Sequence, residues 1–579
     1  MLKAKENRKS LTKRIPSIIS CIIIVCACIL SFDKLNFPTV MNDEFGYLGN
    51  AAYLAGYNWS EILTDIPYYS YGYSLILVPL FLILKNGCDI YIGVEIINTI
   101  GLIASFFALN YTCGKLFGDI SAFLRNLICL VATLSAYTYI MAGYALAECI
   151  LFFSICFWIA WLIFLLEEPS ALKSVVLGML VAYIHLIHQR ALAIVVATSL
   201  TILLLCLIKK IDKKTTLAYY ITLLVALFLQ IEGKEIIKNA IWDTRVGTLE
   251  NDYGGLYSVI FSLLSIDGII NFIVSFITKL YSIFVSYFFI PMFFLEHSLK
   301  LCWEGVKRKK LDTKTIIFIT LMLALICAFG ITALFVMYPT RRDAIIYSRY
   351  VEYLLGPVMA LGLCALINVG HKFLRIIIYI GIGFIGGGFV LKAWTWVEND
   401  NFISISSPVL SLFFENNTLH VFLALIFMGL IFGIFSVVFS QKRDWIKSLI
   451  LLAMVTISIF MGNKVKANWT QFDDIKECTL DIGREIEERI SEKNCLVEVF
   501  IIREPEEYYT LHFYGGFIQQ YLPRVSMSYV TKDTIDRFQE SAAEYVIIVG
   551  ENRDELRNAV EMENFYLNDK LFIAEKEIN

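Results

Sequence analysis

Long apolar stretches, separated by short polar segments, fill most of the 579-residue chain up to residue 462. Stretches of about 18 or more apolar residues are long enough to cross a bilayer as helices. The pattern therefore predicts an all-α polytopic membrane protein with about thirteen transmembrane helices. We place them at residues 15–32, 90–112, 122–141, 147–166, 172–188, 190–208, 217–231, 270–295, 315–338, 350–369, 375–391, 419–440 and 447–462.

Two apolar stretches have lengths that do not fit a single span. Tyr71 to Leu84 is short, so we predict an interfacial or re-entrant helix within a first outer loop covering residues 33–89. Leu172 to Ile208 is too long for one span, and its polar residues, which include His188 and Arg190, predict a turn at the outer side.

The pattern changes after residue 462. Helix-like residues 473–493 and 507–521 alternate with strand-like residues 495–502 and 543–550. We also predict an extended segment at 524–530, a short helix at 531–540 and a final strand near 571–574. This alternation indicates a small α/β domain, residues 463–579, with a parallel sheet.

Basic clusters decide which side each loop occupies. Lys and Arg are concentrated in certain loops, and any two of these loops are separated by an even number of predicted crossings. They therefore lie on the same side of the membrane, which the positive-inside rule predicts to be the cytoplasmic side. Residues 1–14 then form a cytoplasmic N-terminus, residues 15–462 the transmembrane domain, and residues 463–579 an extracytoplasmic domain. This C-terminal part, counted from Gly462, holds 14 basic and 24 acidic residues, whereas the whole chain has a net charge of −3.

Composition excludes a soluble protein and argues against a nucleic-acid binder. The chain is 58% hydrophobic and 17% charged, whereas soluble proteins have about 25% charged residues. Its basic loops are explained by membrane topology. Most of the 14 cysteines lie in apolar runs and are interpreted as small core residues. Cys478 and Cys495 could pair if the C-terminal domain is extracellular.

Polar residues able to do chemistry collect on the predicted outer face. They include Asp43, Glu44, Glu148, Arg190 and residues 341–349, while the inner face has plain basic loops. Carboxylates and arginines at a membrane are costly unless they have a use. The asymmetry predicts an extracytoplasmic active site. Glycosyl transfer to a hydroxyl or amine would need one carboxylate as the base that removes the acceptor proton.

The first outer loop resembles that of the GT-C superfamily, the multi-spanning glycosyltransferases that use polyprenyl-phosphate sugars. The resemblance is carried by Asp43-Glu44, the following Ala51-Ala52-Tyr53-Leu54-Ala55-Gly56 and Tyr71-Gly72-Tyr73, with Glu148 at a second acidic position. It is similar to the protein O-mannosyltransferase and aminoarabinose transferase branches. The resemblance implies that Asp43 is the catalytic base, that Glu44 supports it, and that Glu148 completes the catalytic set.

The same resemblance implies a place for the donor. Many superfamily members have Arg-Tyr near the start of a late span followed by Pro, as Arg349-Tyr350 and Pro357 stand here. Arginine binds phosphate oxygens through its planar fork. We therefore assign donor-phosphate binding to Arg341, Arg342, Arg349 and Arg190, and substrate binding to Tyr71, Tyr73, His188 and Tyr350. A hydrogen-bonded core histidine is the alternative for His185 and His188.

These observations predict a glycosyltransferase, hexosyl or pentosyl, of the plasma membrane. Its partners would be the bilayer, a polyprenyl-phosphate-linked sugar donor and an extracytoplasmic acceptor: a cell-wall polymer, glycolipid, polysaccharide or protein. No cofactor is expected, with a divalent cation as the open alternative. The competing hypotheses are a transporter or flippase of lipid-linked sugars and a polysaccharide polymerase or ligase. Paired half-repeats, typical of transporters, are not found in the sequence.

Overall fold

The computed structural model describes residues 2–38, 41–63, 68–242, 260–369, 373–398, 407–414, 420–439, 443–467, 473–492, 497–502, 508–530, 545–550, 564–566 and 572–577. The fold is a helical bundle followed by a small sheet. Its helices are Leu2–Ser31, Met41–Leu54, Ser60–Leu63, Gly72–Ile83, Gly87–Leu116, Ala122–Thr133, Ala136–Met141, Glu148–Glu167, Ala171–Ile187, Leu192–Leu207, Lys213–Ile241, Ile266–Ser286, Ile290–Arg308, Thr313–Phe335, Arg342–Ile345, Arg349–Glu352, Leu355–Val369, Phe373–Trp394, Pro408–Phe414, His420–Phe439, Asp444–Ala467, Asp473–Glu492 and Tyr508–Tyr521, with a 3₁₀ turn at Gln189–Ala191.

The membrane part agrees with a polytopic helical protein. Within the described residues, nine helices are long and apolar enough to cross a membrane, and a tenth span results if two helices bent by 75° near residue 353 count as one. Each of the thirteen predicted spans falls on one or more of the described helices. Several of these are shorter than a full crossing, so the count of thirteen stays a prediction.

Besides the predicted span at residues 350–369, which bends near residue 353, two predicted spans are divided in the structure. Residues 122–141 form two helices, because Ser135 caps a new helix by accepting a hydrogen bond from Thr138 N. Residues 270–295 break at Phe288 and Phe289, which have left-handed φ angles of 53° and 56°. Pro291 then opens the next helix; proline is tolerated in a first helical turn and disfavoured in a helix interior. The prediction of one continuous helix was wrong at both places.

The first outer loop folds back on itself. Its helix Met41–Leu54 packs on Gly72–Ile83, the 12-residue helix that stands where a short apolar helix was expected. Gly46 permits this approach, since a Cβ there would lie 2.1 Å from the Tyr69 ring. The loop therefore holds Asp43 and Tyr69 side by side.

The C-terminal sheet contains strands β1 (Val497–Ile502), β2 (Ser526–Val530), β3 (Tyr545–Gly550), β4 (Asn564–Tyr566) and β5 (Phe572–Glu577) in the order β2-β1-β3-β5-β4. β1 pairs in parallel with β2 and β3, but β5 is antiparallel to β3 and β4. The parallel prediction is thus wrong for the last strands, because the connection between β4 and β5 is too short for a crossover. The predicted helix at 531–540 and Cys495 lie outside the described residues.

The C-terminal helices pack directly on the first outer loop. Buried Lys476 forms an ion pair with Asp33, with Nζ 3.0 Å from Oδ2. The rings of Phe517 and Phe45 lie 6.1 Å apart, and Trp59 Nε1 donates to Pro523 O at 3.0 Å. The loop that carries Asp43 and the C-terminal helices therefore occupy the same face of the bundle.

Candidate active site

Arg349 joins two acidic residues that are far apart in the sequence. Its Nη1 lies 2.7 Å from Asp43 Oδ2, and its Nη2 lies 2.6 Å from Glu148 Oε1. Nε also donates to Glu148 Oε1 at 2.7 Å. The exposed fraction of the side chain is 24% for Asp43, against 6% for Arg349 and 4% for Glu148. Asp43 is therefore the member of this ion-pair cluster that an external substrate can reach.

The surroundings of Asp43 stabilise its ionised form. Burial acts to raise the pKa of the carboxyl, but the charge of Arg349, the hydrogen bond from the Tyr69 hydroxyl and the more distant charge of Arg190 outweigh it, so the pKa lies below its ordinary value. The Tyr69 hydroxyl donates to Asp43 Oδ1 at 2.5 Å. Asp43 is thus a carboxylate at neutral pH, as a proton acceptor must be.

Glu44 faces away from this cluster and organises the chain that leads to Glu148. Its Oε1 accepts hydrogen bonds from Tyr91 OH at 2.6 Å and from Ala145 N at 2.8 Å, and the side chain is fully buried. The bond to Ala145 links the helix of Asp43 to the turn before Glu148. Glu44 is thus bound to Tyr91 and to the segment that precedes Glu148.

Arg190 lies beside the cluster on a separate turn. Within the described residues its guanidinium makes no ion pair; it stacks on Tyr350, with Cζ 3.1 Å from the ring centroid. His188 Nδ1 accepts from Arg190 N at 3.2 Å and so caps the 3₁₀ turn that presents the arginine. The Tyr353 hydroxyl fixes the same turn by donating to Arg190 O at 3.1 Å. The site therefore offers a positive group that is not neutralised by a carboxylate contact.

The other predicted site residues lie elsewhere. Arg341 pairs with Asp343 at 3.2 Å, and Arg342 lies 5.4 Å from the Trp394 ring centroid. The Tyr71 hydroxyl donates to Gln230 O at 3.4 Å. Tyr73 is fully buried and donates to Asn98 Oδ1 at 3.1 Å, which leaves it no surface for a substrate. The structure thus brings together Asp43, Glu148, Arg349, Arg190, His188 and Tyr350.

Sequence reasoning missed two tyrosines at the site. Tyr69 binds Asp43 directly, and Tyr347 packs edge-on against Tyr350 with ring centroids 4.3 Å apart. Of the four tyrosines at positions 68, 69, 71 and 73, only Tyr71 and Tyr73 are assigned a role from the sequence. A tyrosine facing a carboxylate across a loop leaves no periodic signal, because the pairing depends on how the loop folds back.

A divalent cation does not fit the residues at this position. Among the described residues, no group of three or more His, Cys, Asp and Glu side chains is arranged to hold a metal ion. The Arg349 guanidinium contacts both Asp43 and Glu148, so a cation would have to displace a positive charge. No step of the chemistry below is assigned to a metal.

Removing the Tyr69 hydroxyl tests the electrostatics of Asp43. In Tyr69→Phe the pKa of Asp43 is expected to rise, because the hydrogen bond lowers it. Activity that requires ionised Asp43 is lost as pH falls through this pKa, so the acid limb of the rate profile should move to higher pH, while kcat at neutral pH, where Asp43 stays ionised, should change little. The pH dependence of turnover measures this. An acid limb unchanged from wild type would contradict the coupling.

Comparisons with known proteins give similarity of structure alone. No protein-family model and no curated protein matches the chain. The structure is similar to ArnT from Cupriavidus metallidurans bound to undecaprenyl phosphate, over 96% of this chain and 97% of that chain, with a TM-score of 0.48 and 12% identity. It is also similar to arabinosyltransferase EmbB from Mycobacterium smegmatis, over 78% of this chain and 40% of that chain, with a TM-score of 0.41 and 12% identity.

A third similar structure is an oligosaccharyltransferase from Archaeoglobus fulgidus, over 89% of this chain and 63% of that chain, with a TM-score of 0.43 and 12% identity. Because the TM-scores lie below 0.5, neither an activity nor a residue's role is carried over from these structures.

Proposed function

We propose that this protein is a membrane glycosyltransferase that moves a sugar from a polyprenyl-phosphate donor to an extracytoplasmic acceptor. The observation that carries the proposal is the ion-pair cluster of Asp43, Arg349 and Glu148. Of these, Asp43 alone is substantially exposed, and Arg190 lies beside it without a carboxylate contact. Such a cluster combines a proton acceptor with a site for an anion, which is what transfer from a lipid phosphate requires.

Asp43 acts as the general base in this proposal. Its carboxylate takes the proton from the acceptor hydroxyl or amine while the acceptor atom attacks the anomeric carbon. The bond between that carbon and the phosphate oxygen breaks, and polyprenyl phosphate leaves with the bonding electrons. Phosphate is a good leaving group, so no strong general acid is needed. Arg349 and Tyr69 hold Asp43 in its ionised form and in a fixed orientation.

Glu148 and Glu44 are given different parts. Glu148 uses Oε1 for both contacts with Arg349, while its buried Oε2 has no hydrogen-bond partner among the described residues. Because Glu148 is buried, we assign it the part of holding Arg349 in place beside Asp43. We assign Glu44 as a positioning residue, because its hydrogen bonds from Tyr91 and Ala145 N connect the helix of Asp43 to the segment before Glu148.

The donor phosphate is assigned to Arg190. Arg349 is already engaged by two carboxylates, whereas Arg190 has its guanidinium against Tyr350 and no ion pair within the described part of the chain. A guanidinium can bind two phosphate oxygens and stabilise the charge that grows on the leaving group. Arg341 and Arg342 stay candidates for headgroup contacts at a second position.

The proposal is tested by turnover of the purified protein in lipid. Polyprenyl-phosphate hexoses and pentoses are supplied with candidate acceptors, and sugar transfer and polyprenyl-phosphate release are both measured. Transfer or release supports a glycosyltransferase and identifies the donor class. Donor that binds without turnover, and that crosses the bilayer of a proteoliposome, would instead establish the transporter or flippase.

Arg190 and Arg341 can be separated by their effects on donor binding. Arg190→Gln is expected to weaken binding of the lipid phosphate by about tenfold to a hundredfold, because a charge-assisted, two-point contact is lost. Binding of polyprenyl phosphate itself, titrated by tryptophan fluorescence, measures this without turnover. Arg341→Gln is the matched control and should change the Kd far less. If Arg341→Gln weakens binding strongly and Arg190→Gln does not, the phosphate lies at Arg341 rather than at Arg190.

A further inference from the structure

One face of the helix Ile266–Ser286 carries a line of buried polar side chains. Ser275, Lys279 and Ser282 are spaced four and three residues apart, so they lie on the same side of the helix. Their exposed fractions are 4%, 1% and 0%. We call these three residues the polar stripe. A charged side chain within an apolar helix is costly and points to a use.

The polar stripe binds backbone oxygens of the chain that leads to Arg349. Ser275 Oγ donates to Ala333 O at 3.0 Å and to Val336 O at 3.1 Å. Lys279 Nζ donates to Ala344 O at 2.8 Å and to Ile345 O at 3.1 Å. Ser282 Oγ donates to Ile346 O at 2.8 Å. We call residues 336–349 the arginine segment. Ser275, Lys279 and Ser282 bind successive carbonyls along this segment.

The same contacts extend to both sides of Arg349. Ser282 hydrogen-bonds Ser407 at 3.1 Å, and Ser348 donates to Ser407 Oγ at 3.2 Å. Ser348 also donates to Glu352 Oε1 at 2.5 Å. Ser348 directly precedes Arg349, and Glu352 follows it by one helical turn. The polar stripe is therefore connected by hydrogen bonds to the backbone positions that orient the arginine.

Lys279 supplies what a hydroxyl could not. The helix Arg342–Ile345 is a single turn, so its terminal carbonyls have no partners within it. The Lys279 amino group donates to two of these carbonyls. Loss of this group would leave two buried carbonyl oxygens without their donor, and the arginine segment would lose two of its hydrogen bonds to the polar stripe.

We propose that Lys279 is a positioning residue, which fixes the arginine segment on the polar stripe and so aims Arg349 at Asp43 and Glu148. This inference rests on the proposed function where it concerns catalysis. Its structural content, that Lys279 immobilises the segment, stands independently of any reaction. Sub-ångström placement of charged groups matters, since a misplacement of about 1 Å can cost about a hundredfold in rate.

The test compares Lys279→Met with two matched variants. Lys279→Arg keeps a long side chain with N–H donors, and Thr278→Val removes a neighbouring buried hydroxyl whose hydrogen bond, within the described residues, is to Ser275 O of its own helix. Hydrogen–deuterium exchange of peptides spanning residues 336–349 is followed in nanodiscs. We expect Lys279→Met to exchange about tenfold faster or more, as local opening becomes easier, while Lys279→Arg and Thr278→Val resemble wild type.

Turnover with the polyprenyl-phosphate donor provides the second measurement. Lys279→Met should lower kcat about tenfold to a hundredfold, Lys279→Arg should restore most of it, and Thr278→Val should leave it unchanged. If Lys279→Met folds and the hydrogen–deuterium exchange of residues 336–349 is unchanged, the inference is overturned. Faster exchange of these residues with a normal kcat would also overturn it. If Lys279→Met does not fold, Ser282→Ala serves in its place. If wild type has no transferase activity, the proposed function fails while the exchange data still decide the role of Lys279.

Discussion

Replacing Asp43 by asparagine is expected to reduce sugar transfer about a thousandfold, within the range that a general base contributes. The amide has nearly the same shape as the carboxylate, and its oxygen can still accept a hydrogen bond from Arg349 or Tyr69. It cannot take the acceptor proton, so the loss should fall on kcat. Donor binding, which we assign to Arg190, should stay within about threefold of wild type, since single charge contacts at a distance contribute little.

The measurement pairs single-turnover transfer with equilibrium binding of the same donor. Asp89→Asn is the matched control, because Asp89 belongs to the same outer loop and is exposed; the variant should behave as wild type. Full activity in Asp43→Asn would move the base to another carboxylate, with Glu148 the first to examine. A loss of donor binding equal to the loss of rate would instead make Asp43 part of the donor site.

The sequence predicts many of the residues of the candidate site. Asp43, Glu148, Arg190 and Arg349 stand out because ionisable groups beside apolar spans are costly. Their pairing could not be predicted. Residues 43, 148 and 349 meet only after the bundle has formed, and periodicity reports the face of a helix, not the partner opposite it. For the same reason Arg349 was assigned to the donor phosphate, whereas the structure places it between two carboxylates.

The errors in the fold have the same origin. The division of residues 270–295 depends on two consecutive left-handed residues, Phe288 and Phe289, and aromatic residues give no sequence signal for that conformation. Pro291 was the available clue. In the C-terminal sheet the strands near 497, 545 and 572 were recognised from their composition. The parallel direction of the strands was inferred only from the alternation of strands and helices. The short connection between β4 and β5 instead makes β5 antiparallel to β4.

Removing the Arg349 charge is expected to be the most damaging single change to the site. Arg349→Met leaves Asp43 and Glu148 without their shared partner in a largely buried place. Breaking a buried ion pair on one side costs about 3–5 kcal/mol, because the remaining charge is uncompensated. The free energy of unfolding should fall by about this amount, and transfer should be lost. Thermal unfolding in a single detergent, with turnover measured on the same samples, tests both.

The dependence on pH and on a second substitution separates charge from packing. Arg349 lowers the pKa of Asp43, so the pair stabilises the fold above the unfolded pKa, and that contribution is lost as pH falls through the folded value. The deficit of Arg349→Met should therefore shrink at low pH, where Asp43 becomes neutral. Adding Glu148→Gln to Arg349→Met removes one stranded charge, and should recover about 1–3 kcal/mol of stability without restoring activity. Additive losses in this double-mutant cycle, with no change between neutral and acid pH, would show that Arg349 stabilises the bundle by packing alone.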